Sequence, residues 1–86
     1  MNTSVAQNDI EAVAVHVDFV NDMICLSLAD GREIKTPLEF YPRLATATPE
    51  QLKKFRFIGG GRGIHWQELD EDLSVDSIVL GRRAYN

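Results

Sequence analysis

The chain has 86 residues, the size of one small domain, and such a domain buries only about 60% of its unfolded surface, so deep enclosed pockets are not expected. Its 44% hydrophobic and 26% charged residues are typical of a folded globular protein and not of a disordered one. A formal net charge of −4 disfavours nucleic-acid binding, and no apolar run approaches the roughly 20 residues of a membrane helix.

The N-terminal residues lack the basic and apolar regions of a signal peptide, so we expect a cytoplasmic protein. Residues 1–10 are polar and aperiodic and are predicted to form a flexible tail, followed by a single domain over residues 11–86. The single cysteine, Cys25, lies inside an apolar run with no neighbouring positive charge to activate it. We interpret it as a buried structural thiol.

Residues 12–19 are predicted to form the first strand, because apolar and polar residues alternate with the period of a half-buried strand. The predicted inner face carries Val13, Val15, Val17 and Phe19. His16 then lies on the outer face. Asn21 and Asp22 follow, and because both residue types tolerate positive φ they predict a two-residue hairpin turn.

That turn sets the register of a second and a third strand. It pairs Phe19 with Ile24, Val17 with Leu26 and Val15 with Leu28. A three-residue loop over residues 29–31, ending in a left-handed Gly31, would set Ile34 opposite Leu26, whereas a two-residue loop would set it opposite Ser27. We predict the three-residue loop, because it keeps the apolar residues on one face, and a third strand over residues 32–36 that ends before Pro37.

Short helices and one later strand are predicted in the rest of the chain. Residues 42–45 predict a helical turn, and the capping-box sequence Thr48-Pro49-Glu50-Gln51 predicts a helix from Pro49 to about Lys54. Residues 55–58 are predicted to form a strand, and Ser74 to cap a last helix over residues 75–80 that ends at Gly81. The predicted class is α+β: two layers, a small and mainly antiparallel sheet made of the N-terminal meander plus the later strand, and two or three short helices.

The stretch Gly59-Gly60-Gly61-Arg62-Gly63 resembles a phosphate-binding loop in composition. It lacks a lysine followed by serine or threonine, the G-x-G-x-x-G spacing and an immediately following helix. We therefore predict a tight turn in which at least one of these glycines has positive φ.

The candidate site residues lie in and after this turn: Arg62, His65, Trp66, Asp70, Glu71 and Asp72. A structural zinc site needs about four nitrogen or sulfur ligands, and this region supplies one histidine and no cysteine, so we predict no metal and no cofactor. No serine lies in a nucleophile-elbow motif, and we predict no catalytic residues. Trp66 is expected to be a buried anchor. The polar residues are expected to hold a structural corner or to contact a protein partner.

Several segments together resemble a known family. They are Asp30-Gly31-Arg32, Pro42-Arg43-Leu44, Thr46-Ala47-Thr48-Pro49-Glu50-Gln51 and, above all, Gly63-Ile64-His65-Trp66 followed by Leu69-Asp70-Glu71-Asp72-Leu73-Ser74-Val75. Over roughly residues 12–81 the chain resembles the short bacterial domain-of-unknown-function family numbered twenty-four forty-two. The resemblance implies a two-layer α+β fold, a bacterial or phage-related setting and frequent gene pairing with another small protein, as in toxin–antitoxin modules. It implies no catalytic residues.

Two functional hypotheses follow. The first is a noncatalytic protein-interaction module, the acidic partner of a small and basic protein encoded nearby. The second is a small enzyme, or a ligand- or metal-binding domain, that uses His65 with the carboxylates of residues 70–72. The resemblance also implies a C-terminal helix-turn-helix extension in some relatives, which the sequence up to Asn86 does not include. Together with the negative net charge, this leads us to expect no direct binding to nucleic acid, and the lack of a long apolar run leads us to expect none to membranes. The oligomeric state is left open, and a homo-oligomer is compatible with the sequence.

Overall fold

The computed structural model describes residues 12–84, so the predicted tail over residues 1–10 lies outside the described residues. The described strands are β1 Ala14–Val20, β2 Met23–Leu28, β3 Glu33–Pro37, β4 Phe55–Ile58, β5 Gly63–Trp66 and β6 Glu71–Ser74. The described α-helices are α1 Pro42–Ala45, α2 Pro49–Lys53 and α3 Val75–Val79. The strands form two antiparallel sheets, β1-β2-β3 and β4-β5-β6. The predicted α+β class is confirmed, and the predicted later strand, β4, begins a second meander.

The register of the first meander is largely as predicted. Phe19 pairs with Ile24, Val17 with Leu26 and Ile34 with Leu26. The turn residues Asn21 and Asp22 both have positive φ, at 54° and 60°, and Gly31 has a φ of 97°. Residues 29–31 therefore form the predicted three-residue loop.

The start of β1 differs from the prediction. Ala14, not Val15, pairs with Leu28, and an irregularity between Ala14 and His16 shifts the register by one residue. A β-bulge of this kind resets the alternation of faces, so Ala14 is buried whereas Val15 is 58% exposed. The expectation that Val15 lies on the inner face is therefore wrong, and Val13 is only half-buried. Cys25 is likewise half-buried on the outer face, because its neighbours Ile24 and Leu26 point inward.

Both predicted helix caps are present. Thr48 Oγ1 accepts a hydrogen bond from the Gln51 backbone N–H at 3.1 Å, and the Gln51 side chain accepts one from the Thr48 N–H at 3.0 Å. Ser74 Oγ accepts from the Ser77 N–H at 3.2 Å. Helix α3 ends in a Schellman motif, in which Gly81 has a φ of 76° and the Arg82 N–H donates to the Ser77 carbonyl at 2.9 Å.

The glycine turn between β4 and β5 is left-handed. Gly59, Gly60 and Gly61 have φ values of 60°, 69° and 99°, which confirms the predicted positive φ. A Cβ atom on Gly61 would lie 2.6 Å from the Ala14 carbonyl oxygen. The absence of a side chain therefore lets the second meander approach the backbone of β1.

The core is continuous across both meanders. Its largest fully buried side chains come from both sheets, from the segment around α1 and from α3: Trp66, Tyr41, Ile24, Leu26, Leu44, Ile64, Ile78 and Val75. The inner faces of the two sheets thus bury their apolar residues together. Within residues 12–84, none of the helices combines the length and apolar character needed to cross a bilayer.

Candidate functional site

The second meander separates the candidate site residues onto two faces. His65 pairs with Asp72 and with Arg56 across the sheet, and these three lie on the outer face. Trp66 pairs with Glu71 in the next row, and both side chains are buried. The acidic residues that are consecutive in sequence therefore do not converge on one point.

The outer row holds an imidazole next to a carboxylate. His65 Nδ1 contacts Asp72 Oδ1, with 22% of the His65 side chain and 67% of the Asp72 side chain exposed. Within residues 12–84, no group of three histidine, cysteine or carboxylate side chains lies close enough to share a cation.

Trp66 is fully buried, as predicted. Its indole Nε1–H donates a hydrogen bond to the carbonyl of Leu52 at 3.0 Å, and its ring lies 6.2 Å from that of Phe55. Leu52 belongs to α2, so the indole ties the second meander to that helix as well as filling the core.

The acidic corner is formed by the consecutive residues Asp70, Glu71 and Asp72, and Glu71 is its buried member. It is 9% exposed, and its Oε2 atom finds no hydrogen-bond partner among the described residues. Burial raises the pKa of Glu71 above its ordinary value, and the positive charge of Arg43 opposes that change. Arg43 itself donates to the Asp70 carbonyl and lies 3.8 Å from the Asp70 carboxylate, so it holds the turn before Glu71.

Asp70 and Arg62 contribute to their turns through their backbone atoms. Asp70 adopts a positive φ of 51°, which an aspartate tolerates better than most residues, and its side chain is almost fully exposed. Arg62 is exposed, and its carbonyl accepts a hydrogen bond from the Val75 N–H at 2.9 Å. Neither side chain joins the His65–Asp72 pair.

An apolar groove that the sequence analysis did not find lies between β1 and α2. This aromatic groove has a volume of about 300 Å³, and its apolar lining includes Val17, Phe19, Leu38, Pro49, Leu52 and Phe55. Asp18, Asp22 and Lys53 also line it. These residues come from segments separated by some thirty positions, so local periodicity could not indicate the groove.

The aromatic surface continues from the groove onto β4. The ring of Phe55 lies 6.5 Å from that of Phe19 and 5.6 Å from that of Phe57. Phe57 and Ile58 are each 37% exposed, and β4 is an edge strand of its sheet. An apolar edge strand thus borders the aromatic groove.

A second groove adjoins the first at the tip of the β1–β2 hairpin. This hairpin-end groove has a volume of about 570 Å³ and shares Asn21, Asp22 and Leu38 with the aromatic groove. Its other lining residues are Met23, Pro37, Glu39 and Ala45. The two grooves lie on either side of the hairpin turn and meet at these shared residues. We call the two together the concave surface.

Residues 14–84 match the sequence model of a family described as "Protein of unknown function (DUF2442)". A crystal structure of a protein of unknown function from Rhodospirillum rubrum is 25% identical, with a TM-score of 0.76 over 90% of this chain and 95% of that one. A solution NMR structure of an uncharacterised protein from Chromobacterium violaceum is 27% identical, with a TM-score of 0.73 over 95% of this chain and 76% of that one. No functionally curated protein matches the chain significantly.

Proposed function

The chain belongs to the DUF2442 family, and from this premise we propose that it is a noncatalytic protein-interaction module that binds through the aromatic groove and the edge of β4. The observation that carries the proposal is the uncovered apolar surface formed by the groove with the exposed ring of Phe57. Ile58, the next residue of β4, is exposed on the opposite face of the sheet. Edge strands can pair with an added strand, and proteins commonly protect them with charge, proline or a covering segment. Here the edge strand is short but largely apolar.

The proposed partner is a small protein encoded beside the gene for this one, in a cytoplasmic, toxin–antitoxin-like pair. The net charge of −4 favours a basic partner, because complementary charge speeds association and disfavours wrong partners. In this pair the present chain is the acidic, noncatalytic member.

The proposal is tested by co-expressing the chain with the product of the neighbouring small gene and measuring how much of that product is retained on the tagged chain. Phe57→Ser removes exposed aromatic surface from the proposed contact, and we expect it to abolish or strongly reduce retention. Val15→Ser is the matched control, because Val15 is exposed on the bulge of β1 and does not line either groove. Equal retention by both variants would contradict the proposal.

A second candidate function rests on the His65–Asp72 pair. When His65 donates its Nδ1–H to Asp72, its Nε2 atom carries a lone pair, which is the arrangement of an oriented general base or a metal ligand. This alternative predicts that a stoichiometric divalent metal raises the melting temperature of the wild type by several degrees and that His65→Gln abolishes the shift. The interaction module predicts no such shift.

A further inference from the structure

Unpaired carboxylates border the concave surface around the hairpin turn. Asp18 and Asp22 line the aromatic groove, and Asp22 and Glu39 line the hairpin-end groove, against the single ammonium group of Lys53. Among the described residues, none of these three carboxylates takes part in an ion pair. By contrast, Asp30 pairs with Arg32, Asp70 with Arg43, and Glu68 with Lys54.

Two of these acidic residues, Asp18 and Asp22, lie on a well-defined backbone at the end of the hairpin. Asn21 and Asp22 form the tight hairpin turn with positive φ values, and the Asp22 carbonyl accepts a hydrogen bond from the Leu38 N–H at 2.9 Å. The Asp18 carboxylate accepts a bond from the Phe19 N–H at 2.8 Å. We therefore expect the backbone of the hairpin to change little in conformation when a partner binds.

We infer that the segment bound on this surface is basic and carries one large apolar side chain. This inference rests on the proposed function and adds the chemistry of the partner to it. The apolar side chain occupies the aromatic groove, where burial supplies most of the affinity. Lysine or arginine residues on either side of it lie against Asp18, Asp22 and Glu39, where charge complementarity fixes orientation and accelerates association.

The test uses three synthetic ten-residue peptides and the full ¹⁵N-labelled chain. The first peptide has a central phenylalanine flanked by lysines and arginines, the second has the same phenylalanine flanked by glutamates, and the third keeps the basic residues but replaces phenylalanine with alanine. We expect the first peptide to shift the amide signals of residues 17–22, 38–39 and 52–55. We expect it to bind about tenfold more tightly than either of the others.

Matched charge variants separate local recognition from net charge. Asp18→Asn/Asp22→Asn removes two carboxylates at the groove, and asparagine tolerates the positive φ of position 22. Asp30→Asn/Glu33→Gln removes two carboxylates at the opposite end of the same meander. We expect the first variant to bind the basic phenylalanine peptide about three- to tenfold more weakly than the second.

The outcomes distinguish this inference from the proposed function. The inference is wrong if the glutamate peptide binds as well as the basic one, if the basic peptide shifts no groove signals, or if the two charge variants bind alike. The proposed function is judged separately by the retention of the neighbouring gene product on Phe57→Ser. If Phe57→Ser loses retention but the two charge variants bind the peptide equally, the proposed function stands and this inference fails. The partner would then be recognised by features other than its basic residues.

Discussion

At the scale of single residues, Trp66 joins two elements through one side chain. Its ring is buried between the second meander and the core, and its indole N–H satisfies the Leu52 carbonyl at the end of α2. A tryptophan beside a histidine in a polar, glycine-rich stretch indicated an anchor from sequence alone. The atom it binds belongs to a residue fourteen positions earlier, which no local pattern could identify.

We predict that Trp66→Ala lowers the free energy of unfolding by about 3–5 kcal/mol, because it removes a fully buried aromatic ring. Trp66→Phe should cost less, since it keeps an aromatic ring and leaves mainly the Leu52 carbonyl unpaired. Urea denaturation followed by far-ultraviolet circular dichroism measures both. Phe57→Ala, at an exposed ring, is the control, and a Trp66→Ala midpoint equal to that control would contradict the anchoring role.

Glu71 makes stability depend on pH in a defined direction. Burial raises its pKa in the folded state above the ordinary value of 4.5, so the folded chain binds the proton more tightly than the unfolded chain. Stability from this group is therefore fully present below the unfolded pKa and is lost as pH rises through the folded pKa. We predict that the stability of Glu71→Gln relative to wild type increases between pH 4 and pH 7, as measured by urea denaturation at each pH. A constant difference would show that the carboxyl is not perturbed.

At the scale of elements, the first meander and the helix caps could be predicted because their signals are local. Turn residues with positive φ, alternating apolar positions and capping sequences all act within a few residues of one another. The bulge in β1 has no local signal in the sequence, and it begins at Ala14, where Gly61 from the second meander approaches the backbone. Strands β5 and β6 were missed because each has only four residues, too few for a clear alternation, and because β6 begins with two consecutive acidic residues.

The glycine turn gives a paired prediction for one element. Gly60→Ala should cost about 1–2 kcal/mol, because alanine is strained at positive φ although nothing lies within 4 Å of the added methyl group. Gly61→Ala should cost clearly more, because its methyl group would also lie 2.6 Å from the Ala14 carbonyl oxygen. Thermal and urea denaturation of the two variants tests this. Equal destabilisation would show that the second meander does not depend on close contact with β1.

At the scale of the whole molecule, the shared core makes the two meanders one cooperative unit. The aromatic groove is also a property of this scale, since Phe19, Leu52 and Phe55 meet only when both meanders and α2 are in place. Local sequence patterns therefore indicated candidate residues at the acidic corner. They could not indicate the aromatic groove, on which the proposed function rests.

We predict that a core substitution in the first meander destabilises the second meander to the same extent. Leu26 is 1% exposed in β2, and Leu26→Ala should lower the free energy of unfolding by about 2–5 kcal/mol. The fluorescence of the single tryptophan, Trp66, reports the second meander. Its unfolding midpoint should move by the same amount as the midpoint from circular dichroism. Two separate transitions would contradict a shared core.

The order of the strands also bears on how quickly the chain folds. Each described strand pairs with the strand next to it in sequence, through loops of two to four residues except between the meanders. Closing such short loops costs little chain entropy, so both hairpin systems can form early and independently. The rate-limiting step should then be their joining, when the backbone of Gly61 meets that of Ala14 and the Trp66 indole reaches Leu52. Substitutions at the tip of either hairpin would then slow refolding, because those turns are already formed when the meanders join, and substitutions at the junction would also slow it. Substitutions at contacts completed only after the joining would mainly accelerate unfolding.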